Sequence, residues 1–135
     1  MKKNKMTVLI DFDGTCVIHR YPGCGPDIKG AVEVLKELVA NGHKLILFTM
    51  RGSLDNGLQE AVNWFRERGI KLYGIQKNPT QESWTNSPKA YGHLIIDDTA
   101  LGAPLIHNPA ISDRYFIDWK GVRELLLQRG IISPK

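Results

Sequence analysis

Nine residues near the start of the chain, TVLIDFDGT at positions 7 to 15, restrict most strongly what it can become. Thr7, Val8, Leu9 and Ile10 form an apolar, β-branched run of the kind that fits a strand buried on both faces. The run leads directly into Asp11, Phe12, Asp13, Gly14 and Thr15. Two carboxylates one residue apart at the end of a buried strand raise each other's pKa and cost desolvation energy unless a cation sits between them. A polar strand-to-loop turn uses the same residue types. A bound divalent metal accounts for both acids at once.

The rest of the chain alternates strand and helix patterns. Residues 16–27, CVIHRYPGCGPD, read as a Gly/Pro-rich loop, with His19, Arg20 and Tyr21 within reach of a substrate. Ile28, Val32, Leu35, Leu38 and Val39 recur at helical spacing, with Asp27 placed as N-cap and Gly42 past the end. Residues 44–48, KLILF, form a second buried-strand run that ends in Thr49, Met50, Arg51 and Gly52. Leu58, Ala61, Val62 and Phe65 mark a second helix, closed by Arg66, Arg68 and a C′ glycine, Gly69. Residues 70–75 predict a third strand, and residues 76–88 a polar loop around Trp84.

A fourth strand at 93–96 ends in Asp97, Asp98 and Thr99. Leu105 and Ile106 suggest a short further strand. Val122, Leu125, Leu126 and Arg129 give the face of a last helix, begun at Asp118 and ended by Gly130. At 135 residues this is one domain, spanning positions 1–135. The element order predicts an α/β fold, a Rossmann-like three-layer sandwich with a mainly parallel central sheet and helices on both faces. In such sheets ligands bind outside the carboxyl ends of the strands.

Composition bears only weakly on partners. The net charge of +4 is mildly basic and lacks the dense Lys/Arg stripe of a nucleic-acid surface. No window reaches the length of a membrane span and no secretory leader pattern is present, so the expected location is the cytoplasm. Cys16 and Cys24 make no zinc pattern; two reduced thiols are expected, although a disulfide between them is geometrically conceivable.

Three predicted strands end in chemistry: Asp11 and Asp13, then Thr49, then Asp97 and Asp98. Four carboxylates in one crevice need a counter-charge. Mg²⁺ suits them as a hard ion that takes one or two carboxylates and keeps water and substrate phosphate as further ligands. Lys89, shortly before the fourth strand, is placed to bring a positive group to the same edge.

Taken together, these residues resemble the haloacid dehalogenase-like hydrolases. Asp11-Phe-Asp13-Gly-Thr15 is similar to their first motif, Thr49 to the second, Lys89 to the third, and Asp97-Asp98 to the fourth. The resemblance implies that Asp11 is a nucleophile forming an aspartyl-phosphate and that Asp13 is the general acid and then base. It implies that Asp11, the Asp13 backbone carbonyl and the Asp97/Asp98 pair hold Mg²⁺. Thr49 and Lys89 would bind the phosphoryl oxygens, and Lys89 would also restrain Asp11. The gaps between motifs leave no room for a cap domain. The expected activity is therefore that of a capless, Mg²⁺-dependent phosphatase of a small phosphorylated metabolite. Arg20, Arg51, His107 and Asn108 are candidates for substrate contacts, and an open, capless site either accepts a large phosphorylated substrate or is covered by a second copy of the chain. The alternatives are a phosphatase of nucleic-acid ends or phosphoproteins, and a non-catalytic binding module.

Overall fold

The computed structural model describes residues 5–134. Four parallel strands make the central sheet: β1 (Thr7–Ile10), β2 (Lys44–Leu47), β3 (Gly74–Ile75) and β4 (Leu94–Ile96), in the order β3-β2-β1-β4. Three helices accompany them: α1 (Ala31–Ala40), α2 (Gly57–Glu67) and α3 (Trp119–Gln128). Two further strands, β5 (Leu105–Ile106) and β6 (Phe116–Ile117), pair with each other antiparallel outside the main sheet. The α/β class and the parallel sheet agree with the sequence reading, and no cap domain interrupts the described residues. The third strand shrinks from six expected residues to two, because only Gly74 and Ile75 lie alongside Ile46 and Leu47.

β1 sits between β2 and β4, so both its faces and both its edges are covered. That position explains why Val8, Leu9 and Ile10 are all apolar and all buried. Side chains alternate across the sheet. Val8 and Ile10, with their register partners Leu45 and Leu47, join one core with Val34, Leu35 and Leu38 of α1, Ala61, Trp64 and Phe65 of α2, and Trp119, Val122 and Leu126 of α3. Phe12 extends that core beyond the strand and meets Trp64 edge-on, with ring centroids 5.8 Å apart.

All three helices therefore lie on one face, which corrects the expectation of helices on both. Leu9 and Ile46 face the other way, into a small cluster with Ala90 and Tyr73. Right-handed crossovers that advance in one direction, β1 to β2 to β3, put α1 and α2 on the same face. The return from β3 to β4 runs the opposite way and falls on the opposite face. Its sequence, residues 76–93, has no helical apolar period. The third layer is accordingly an irregular segment with one 3-10 turn, Gln81–Ser83.

Helix α1 starts later than its apolar pattern suggests. Its N-cap is Gly30, at φ +90°, and not Asp27. Asp27 instead accepts the Trp64 indole N–H at 2.7 Å and a two-pronged bond from Arg68 at 2.8 and 2.9 Å. It ties the loop to α2 rather than capping α1. Cys16 is buried and Cys24 exposed, both as free thiols.

Candidate active site at the switch point of the sheet

The crossover direction reverses between β1 and β4, and the carboxyl ends of these two strands frame a crevice of about 400 Å³. Register fixes what meets there. Ile10 pairs with Ile96, and the Asp11 N–H donates to the Ile96 carbonyl at 3.0 Å. The two chains thus leave the sheet side by side, carrying Asp11 on one and Asp97 and Asp98 on the other. Each of these three acids offers a carboxylate oxygen within 4.8 Å of the others.

Thr15 organises the cluster. Its hydroxyl donates to Asp11 Oδ2 at 2.9 Å and accepts the Asp98 N–H at 3.2 Å. Asp97 is steadied by Thr99, whose N–H and hydroxyl both donate to Asp97 Oδ1 at 2.8 Å. Gly14, at φ +82°, brings its backbone against Asp98 so closely that a β-carbon would overlap the Asp98 carboxylate.

Burial and mutual proximity raise the carboxyls of Asp11 and Asp98 in this cluster. Burial, then the hydrogen bond with Asp98 and the charge of Asp97, push the Asp11 carboxyl up to about 8, against the pull of Thr15. Asp98 is also raised, first by burial. Without a cation the two share a proton. Asp11, Asp97 and Asp98 could hold a metal ion, and their all-oxygen donor set is of the kind a hard divalent cation takes.

The other expected residues divide. Asp13 lines the same crevice, but both its oxygens are taken by the Arg51 guanidinium, Nε to Oδ2 at 2.7 Å and Nη2 to Oδ1 at 2.8 Å. Arg51 is only 1 % exposed. It also donates to the carbonyls of Gly23 at 2.7 Å and Gly57 at 3.4 Å, and its guanidinium faces the Phe12 and Tyr21 rings. Arg51 is therefore a clamp joining the first loop to the second, not the free substrate contact expected of it. Thr49 lines the crevice, with its hydroxyl accepting the Arg51 N–H at 3.1 Å.

Lys89 is exposed on the irregular return segment, where it lines a separate hollow with Leu9, Trp84 and Ile95. It lies there because this crossover contains no helix to carry it to the carboxyl edge. Arg20 is exposed beside the crevice rather than in its lining, which takes His19 and Tyr21 from the same loop. His107 stacks on Tyr115 at 4.5 Å, and Asn108 Oδ1 accepts the Ala110 N–H at 3.1 Å. Both brace the β5–β6 connection.

The structure adds two residues that no sequence pattern marks. Gln76, at φ +65°, grips the second loop: its Oε1 accepts the Thr49 N–H at 2.9 Å, and its Nε2 donates to the Thr49 and Arg51 carbonyls at 2.6 and 3.2 Å. Arg114, between β5 and β6, lines the crevice opposite the acids' own strands.

A solved structure of a conserved protein from Bacteroides thetaiotaomicron matches this fold with a TM-score of 0.70 and 37% identity, over 97% of this chain and 100% of that one. The chain belongs to that protein's family. Identity at this level across essentially the whole of both chains means that the relative shares the domain and not merely the sheet architecture. No protein-family model and no curated protein matches the chain. Among the described residues, no helix is long and apolar enough to cross a membrane.

Proposed function

We propose that the chain is a Mg²⁺-dependent phosphomonoester hydrolase that works through an aspartyl-phosphate on Asp11. The observation that carries this reading is the gathering of Asp11, Asp97 and Asp98 within 4.8 Å at the switch point, with Asp11 held at about 8 when no cation neutralises it. The resemblance of the strand-end residues to the haloacid dehalogenase-like hydrolases supports it further. A crevice of about 400 Å³ is the size of a small-ligand site, which favours a phosphorylated metabolite over a macromolecule.

The bound ion, held by Asp11, Asp97 and Asp98, would neutralise their charge and draw the phosphoryl group to them. Thr15 holds the Asp11 carboxylate in place by its hydroxyl. An Asp11 oxygen attacks phosphorus and the ester oxygen leaves with the bonding pair, giving the acyl phosphate. Water then attacks phosphorus, which releases phosphate and returns the Asp11 carboxylate. Asp13 is the adjacent acid able to give the leaving oxygen a proton and later to take one from water. To do so it must open one prong of its pair with Arg51, so Arg51 sets when Asp13 is available. Thr49 offers a hydroxyl to the phosphoryl oxygens.

The test is hydrolysis of an aryl phosphate by the purified chain with Mg²⁺ and with a chelator. Turnover is expected only with the metal and is expected to vanish in Asp11→Asn. Full activity in that variant would remove the covalent role. A panel of phosphorylated metabolites, 5′-phosphorylated oligonucleotides and phosphopeptides would then separate the small-molecule reading from the others.

A further inference from the structure

Charge in the crevice does not balance for a phosphate ester with the residues so far assigned. Four carboxylates line it, Asp11, Asp13, Asp97 and Asp98. Arg51 is consumed by Asp13 and by the carbonyls of Gly23 and Gly57. Even with a divalent cation among the other three acids, an incoming phosphate dianion meets a surface with no positive charge to spare. The lysine expected to meet it, Lys89, lines a different hollow.

One cation on the wall is uncommitted. Among the described residues, Arg114 has no carboxylate partner, and its side chain is exposed on the crevice. Its backbone position is well determined. The Arg114 N–H donates to Ser112 Oγ at 3.1 Å, and the Asn108 carbonyl accepts the N–H groups of Ile111 and Ser112 at 2.9 and 3.0 Å. The stacked rings of His107 and Tyr115 close the base of this connection. Three residues further on, the Ile117 N–H donates to the Gly14 carbonyl at 3.0 Å, which anchors β6 to the loop that carries the acids. The anchored backbone keeps the long Arg114 side chain at the crevice while its guanidinium stays free to meet a ligand, and its planar fork suits phosphoryl oxygens.

We infer that Arg114, and not Lys89, is the residue that binds the oxygens of the phosphoryl group. This rests on the reading of the site as a phosphate-ester hydrolase, and deepens it by naming the group that recognises the substrate's charge. The β5–β6 connection then acts as the specificity wall of the site, since the same segment that bears Arg114 bounds whatever the phosphate is attached to.

The experiment is calorimetric titration of inorganic phosphate into the Mg²⁺-saturated chain, with wild type, Arg114→Ala, Arg114→Lys and Lys89→Ala compared. Thermal melts establish that each variant is folded. Arg114→Ala is expected to weaken phosphate binding by about tenfold or more, as loss of a charged hydrogen bond does. Arg114→Lys should recover part of that loss, Lys89→Ala should keep the wild-type affinity, and Mg²⁺ binding alone should not change in Arg114→Ala. Wild-type affinity in Arg114→Ala, a comparable loss in Lys89→Ala, or no phosphate binding by wild type each overturns the inference. Phosphate binding through Arg114 without hydrolysis of an aryl phosphate would defeat the hydrolase reading and leave this one standing. Hydrolysis with an unaltered Arg114→Ala affinity would do the reverse.

Discussion

Replacing Asp11 by Asn isolates the cost of crowding three acids at the switch point. In the metal-free chain the Asp11 carboxyl lies at about 8, against its ordinary 3.8. The folded chain therefore keeps a proton that the unfolded chain has already lost. The contribution of this group to stability is whole below pH 3.8 and is lost as pH rises toward 8, at up to about 1.4 kcal/mol per pH unit. At neutral pH the accumulated loss is about 4 kcal/mol at most. Asp98 shares the proton and water reaches the open side of the crevice, which brings the expected value to about 2 kcal/mol. Asparagine keeps an acceptor for the Thr15 hydroxyl, gives Asp98 a donor and carries no charge. Asp11→Asn should therefore melt roughly 8 °C above wild type at neutral pH in a chelator. The difference should close as the pH falls toward 4, where wild type recovers its proton-linked stability. Mg²⁺ at a hundred times its Kd adds about 2.7 kcal/mol to wild type and should reverse the order. Scanning calorimetry at several pH values, with chelator and with Mg²⁺, measures all of this. A variant that melts at or below wild type in chelator, or a gap that does not change with pH, would refute the electrostatic account.

Two further outcomes follow from the clamp and from the glycine. Arg51→Ala leaves Asp13, whose side chain is 13% exposed, without its partner and frees the carbonyls of Pro22, Gly23 and Gly57; urea denaturation should show a loss of about 3–5 kcal/mol, and adding Asp13→Asn should restore part of it. Gly14→Ala forces a β-carbon against the Asp98 carboxylate at a positive φ; titration calorimetry should show Mg²⁺ affinity falling more than tenfold while the far-ultraviolet circular dichroism keeps its native form.

The acidic cluster was legible because its information is local to each strand. Buried runs ending in Asp11 and in Asp97-Asp98 need only lie in one parallel sheet to bring their acids to one edge, and the pairing of β1 with β4 does this. What each strand end touches beyond that edge was not legible. Arg51 after LILFT looks like any solvated arginine, and only the fold shows it buried between two loops. Lys89 stands shortly before the fourth strand and is similar to the third motif of the hydrolases, yet a crossover without a helix leaves it on the sheet face. Arg114 sits in a stretch with no apolar period, so nothing in its surroundings marked it. The helices were found by their apolar faces, but the face of the sheet they cover depends on strand order, which periodicity does not contain.

Trp119 gives its indole N–H to the Thr15 carbonyl at 2.7 Å, across 104 positions of sequence. With the Ile117 N–H on the Gly14 carbonyl, this means that two successive carbonyls of the loop after β1 are held by the C-terminal part of the chain. Every acid of the cluster lies in the first 98 residues, whereas the donors that fix the turn between them come from residues 117 and 119. The turn that positions the acids therefore depends on α3 being docked, so loss of the last helix reaches the pocket without touching any acid in it.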